Sequence, residues 1–110
     1  MVRSKSNMEK RDFKRIDASL ETHYLDIRCF GTVTNISGNG MFIKSPKIIF
    51  PLNLQFEISL PFKEEMLNVP VITKRLSESN GYYDGMGVEI ISIQKNYLEL
   101  LIKLNLCSEL

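Results

Sequence analysis

From Leu52 to Leu60 every second residue is apolar: Leu52, Leu54, Phe56, Ile58 and Leu60 alternate with polar neighbours. Successive strand side chains point to opposite faces, so this period of two predicts a ribbon with one buried face. The same alternation runs through Ile16, Ala18, Leu20, Thr22 and Tyr24, predicting a strand over 16–24. Further runs of strand formers lie at Cys29 to Ile36, Gly40 to Lys44, Val69 to Leu76 and Tyr82 to Ile91. After Ser92 the period changes. Ile93, Tyr97, Leu100, Leu101 and Leu104 recur at helical spacing, so an amphipathic helix is expected over 93–106 with Ser92 as its N-cap. Short antiparallel strands closed by one helix point to a mainly β fold, a small barrel plugged or flanked by that helix.

The punctuation between these runs is informative. Asn39-Gly40 is a dipeptide favoured in two-residue hairpin loops, where both positions need φ > 0. Ser77 to Gly81 reads as a second hairpin loop, again containing Asn-Gly, and a short turn is expected near Asp26. Pro46 and Pro51 bracket a connection, because neither can donate to a central ladder. Pro61 to Asn68 reads as a charged loop, and Gly85 and Gly87 as marks of a bulge or tight barrel bend.

Charge is unevenly distributed. Residues 1–15 carry six Lys/Arg against two acids, whereas the remaining 95 carry eight against eleven; a +4 arm precedes a −3 body. Such an arm attracts a small polyanion or a nucleic acid. Residues 1–9 read as a disordered basic arm and 10–110 as one domain, since 110 residues suffice for a single core. No apolar run approaches the ~20 residues of a membrane helix, and the N-terminus lacks the apolar stretch of a secretory signal, so a cytoplasmic protein is expected. Cys29 and Cys107, far apart and without a CxxC or a neighbouring histidine, read as buried free thiols.

Two short patterns carry the functional reading. Arg11 and Arg15 set two guanidiniums four residues apart ahead of the first strand. Arginine binds phosphate through paired N–H donors and pairs equally well with a guanine edge. Downstream, Asn35, Ser37, Gly38 and Gly40 place an amide and a hydroxyl beside a glycine-bearing turn, with Asn35 and Ser37 emerging on one side of a strand. RxxxR followed by (D/N)xSxxG resembles the PilZ domain, the bacterial receptor module for cyclic di-GMP. The resemblance covers nearly the whole chain, from about Lys10 onward. Gly85-Met86-Gly87-Val88-Glu89-Ile90 looks like the family's closing strand, with Ile90 where an aromatic is common.

The resemblance implies a six-stranded antiparallel β-barrel with a C-terminal α-helix and a flexible basic N-terminal arm, acting as a stand-alone receptor. It further implies cyclic di-GMP as the ligand. Arg11 and Arg15 would contact phosphate and a guanine edge, Asn35 and Ser37 would hydrogen-bond a guanine, and Gly38 and Gly40 would admit the ligand to the backbone. Asn35 replaces the commoner Asp of the motif. The ligand would order the arm and alter binding of a downstream protein; no cofactor and no metal are expected.

Other classes fit less well. A nucleic-acid-binding barrel interleaves aromatics with basic residues on one face, but Tyr82 and Tyr83 are adjacent and the barrel sequence is net acidic. A scaffold that binds partners without nucleotide would not need both motifs. An enzyme is not indicated: His23 is the sole histidine, and there is no nucleophile motif, P-loop or metal-ligand spacing.

Overall fold

A computed structural model describes residues 15–25 and 27–108, with side chains as far as residue 105. The arm expected over residues 1–9, Arg11, the turn at Asp26 and the thiol of Cys107 lie outside the described residues. Six strands form a closed antiparallel barrel: β1 (Ile16–Tyr24), β2 (Phe30–Ile36), β3 (Gly40–Lys44), β4 (Gln55–Phe62), β5 (Glu65–Ser79) and β6 (Tyr82–Ile90). Around the barrel they run β1-β2-β3-β6-β5-β4, and β1 returns to β4 through His23↔Ser59 and Tyr24↔Ile58. The helix α1 (Lys95–Ser108) packs against β1 and β5. The expected six-stranded antiparallel barrel with a C-terminal helix is the observed one.

Alternation fills the interior. Val33, Ile36, Ile43, Ile58, Leu60, Val69, Val71 and Met86 are fully buried, each on the inward face of its strand. Tyr97 and Leu100 of α1 join this core, with Leu101 and Leu104 packed at its edge. These four positions form one helical face, as their spacing requires. Cys29 is half-buried rather than buried.

Several boundaries differ from the sequence reading. Leu52 and Leu54 are exposed and precede β4, because Asn53 turns the chain with φ 69° after Pro51. The expected charged loop over 61–68 is almost absent. β4 continues to Phe62, Lys63 turns with φ 59°, and β5 begins at Glu65, with Leu67 and Val69 inward between outward polar neighbours. Ile93 is exposed and Ser92 is not the cap; α1 starts at Lys95, with the carbonyl of Gln94 taking the first amides from Tyr97 and Leu98.

The two Asn-Gly dipeptides behave differently. Asn80 (φ 55°) and Gly81 (φ 84°) form the two-residue hairpin between β5 and β6. This is the mirror-image turn that suits strand twist. Neither Asn39 nor Gly40 takes a positive φ, so the expected hairpin loop there is replaced by a wider turn. It is closed by Ser37 N donating to Gly40 O at 2.8 Å, with Gly40 already the first residue of β3.

Candidate functional site

The outward face of β3 and β6 is stripped of side chains where the turn after β2 meets it. Gly40 and Gly87 alternate with inward Met41, Met86 and Val88, and so lie on the outside. A Cβ on Gly40 would stand 2.6 Å from the carbonyl oxygen of Val88. Gly40 is therefore required by the closeness of strand β6, a reason its place in an Asn-Gly dipeptide does not convey. The bared strands floor a cleft of about 410 Å³. One side is formed by Arg15, Ser37 and Asn39, the other by Lys74 and Arg75, with Glu89 also lining it.

Arg15 stands just ahead of β1 and Asn35 near the end of β2, twenty residues on. The pairing of Asp17 with Asn35 and of Ile16 with Ile36 brings them together. The Nη1 of Arg15 donates to Oδ1 of Asn35 at 2.9 Å. The two patterns singled out in the sequence thus touch directly. Asn35 is half-buried and acts on the cleft through Arg15, which lines it.

Ser37 is buried, with 7% exposure, and its hydroxyl serves its own turn. Oγ lies 3.0 Å from Oδ1 of Asn39 and 3.2 Å from the carbonyl of Gly40, so its one proton is shared between them. From beneath, the buried hydroxyl of Tyr97 donates to the carbonyl of Ser37, tying the turn to α1. Burial pushes the Tyr97 hydroxyl pKa well above its ordinary value. Gly38 is half-buried in the same turn and is not among the residues lining the cleft.

Sequence reading missed the opposite wall. Strand β5 carries one extra residue where Thr73 pairs with Val88 but Arg75 pairs with Gly87. That bulge at Lys74 interrupts alternation, so Lys74 and Arg75 are both exposed in succession. Lys74 Nζ stands 3.8 Å from Oε1 of Glu89. The Arg75 side chain runs across Gly87, its Cβ and Nε 3.4 Å and its Nη2 3.6 Å from where a Cβ would be. Nothing local marks the pair; Gly87, expected to mark a bulge or tight bend, lies opposite that bulge and leaves room for the crossing side chain.

Among the described residues, the cleft thus gathers Arg15, Lys74 and Arg75 around backbone laid open by glycines, against the single carboxylate of Glu89. Guanidiniums over exposed backbone favour a planar, anionic ligand with hydrogen-bonding edges. Among the described residues, no helix is long and apolar enough to cross a membrane.

A family model described as "PilZ domain" matches residues 9–106. Comparison with curated proteins finds no matching relative. Among solved structures, the chain is similar to the Bacillus subtilis inhibitor of motility MotI/DgrA, with a TM-score of 0.73 and 17% identity. That likeness covers 90% of this chain and 51% of the other, so the chain spans about half the length of that neighbour.

Proposed function

The chain belongs to the PilZ domain family, and on that premise we propose that it is a receptor for cyclic di-GMP. The observation that carries the reading is the contact between Arg15 and Asn35 at the rim of a cationic cleft. It joins the arginine motif to the polar turn within one concave site of suitable charge. In this reading Arg11 and Arg15 take phosphate and a guanine edge through charge-assisted bonds, each contributing about 1.5–3 kcal/mol. Asn35 orients the Arg15 guanidinium, Ser37 fixes the turn, and Gly40 gives the ligand close approach to backbone. An amide at position 35 both donates and accepts, and it places no carboxylate beside the phosphates.

Signalling follows from where the contacts lie. The ligand draws the segment carrying Arg11 onto the barrel, and the composite surface of segment, nucleotide and barrel alters binding of a downstream protein. The protein senses and does not convert its ligand. Calorimetric titration of the unaltered chain, Arg11→Ala and Arg15→Ala with cyclic di-GMP tests this. Each substitution is expected to weaken binding about tenfold or more while the fold persists. Equal affinity in all three proteins, or no binding by the unaltered chain, overturns the assignment.

A further inference from the structure

We propose that Arg75 is a ligand-contacting residue that packs the plane of its guanidinium against a base of the bound nucleotide. The inference rests on the receptor reading above and adds a contact from the wall opposite Arg15. Three observations carry it.

The bulge at Lys74 turns Arg75 outward, and without that extra residue strict alternation would aim one of the two cations at the core. Gly87 then leaves room for the side chain to lie along the cleft floor from Cβ to Nη2. Finally, Arg75 is uncommitted: among the described residues the carboxylate of Glu89 pairs with Lys74, and no carboxylate pairs with Arg75. A guanidinium held along the floor of a binding cleft, with no anionic partner, is placed to meet the ligand directly.

Shape, not charge alone, is the point. A guanidinium is planar and weakly hydrated and stacks on aromatic rings, whereas an ammonium is a compact, strongly hydrated point charge. Lys74 already supplies that second kind of cation beside it. Arg75 therefore contributes a flat surface against which a purine lies, as arginine planes do in single-stranded nucleic-acid sites.

The test is titration of cyclic di-GMP into the unaltered chain, Arg75→Ala and Arg75→Lys, with thermal melts to verify that the exposed substitutions leave the fold intact. Arg75→Ala is expected to weaken binding about tenfold, and Arg75→Lys to remain within about threefold of the alanine variant. Recovery of full affinity by Arg75→Lys means that charge alone acts, and overturns the stacking assignment. An Arg75→Ala variant within twofold of the unaltered chain removes Arg75 from the site while leaving the receptor reading in place. Failure of the unaltered chain to bind defeats the receptor reading and this contact together.

Discussion

Arg15 and Asn35 are joined by a hydrogen bond of 2.9 Å from Nη1 to Oδ1, across the antiparallel ladder between β1 and β2. The bond is solvent-exposed, so its loss costs the fold little, about 0–1 kcal/mol. Its consequence is positional: the amide aims the guanidinium at the cleft. Arg15→Ala is expected to abolish most cyclic di-GMP affinity, and Asn35→Ala to reduce it about threefold to tenfold by loosening Arg15. A double-mutant cycle by calorimetry checks the link. The double variant should bind about as poorly as Arg15→Ala alone, and multiplicative losses would show that the two side chains act independently.

Gly40 and Gly81 offer a matched pair of glycine substitutions. Gly40→Ala forces a Cβ to 2.6 Å from the Val88 carbonyl, so the β3–β6 ladder must shift. Overpacking of this kind costs about 1–3 kcal/mol, and ligand affinity should fall with it because the cleft floor moves. Gly81→Ala meets nothing within 4 Å and pays only for its φ of +84°. That is a loss of about 1 kcal/mol with unchanged affinity. Denaturant unfolding and titration of both variants distinguish the two mechanisms.

Among the described residues, Glu89 is the one carboxylate lining the cleft. Glu89→Gln removes a negative charge facing the ligand and releases Lys74 from its 3.8 Å partner. For an anionic ligand, affinity should rise about twofold to fivefold at low salt, and the gain should shrink as ionic strength increases. Calorimetry at two salt concentrations measures this. Weaker binding in the variant would mean that Glu89 itself accepts a hydrogen bond from the ligand.

Tyr97 links the site to the helix through its bond to the Ser37 carbonyl. Tyr97→Phe leaves that buried acceptor without this donor, an expected loss of about 1–3 kcal/mol in denaturant unfolding.

The same residue sets an alkaline limit. Burial raises the Tyr97 pKa above the ordinary 10.0. Burial also raises that of Tyr24, partly offset by its bond to Ser45 and reinforced by Cys29. Above pH 10 the unfolded chain releases tyrosine protons that the folded chain retains. Stability is therefore present in full below pH 10 and is lost as pH rises toward the folded values. Melting temperatures from pH 8 to 12 should fall beyond pH 10, and less steeply in Tyr97→Phe. A flat profile would contradict the buried, hydrogen-bonded phenol.

The strands β1 and β3 and the buried face of α1 could be read from residue order, because strand pleat and helix pitch convert a local period directly into a face. Arg15, Asn35, Ser37 and Gly40 were legible as a pattern for the same reason: each was recognisable by type and spacing. Where the sequence reading erred, a local signal competed with distant partners. Leu52 and Leu54 kept the period of β4 but fall in a turn; Asn39-Gly40 carried the signal of a tight hairpin, yet that turn formed only at Asn80-Gly81.

Residue order alone thus determined a barrel of alternating strands, a closing helix and the two short motifs that carry the functional reading. The tertiary structure alone decided that Arg15 meets Asn35, that Val88 leaves no room for a side chain at position 40, and that a bulge sets Lys74 and Arg75 outward together across the cleft. All three depend on pairing register, of β1 with β2, of β3 with β6 and of β5 with β6. Register is fixed by the whole sheet closing at once, so no local window of sequence contains it.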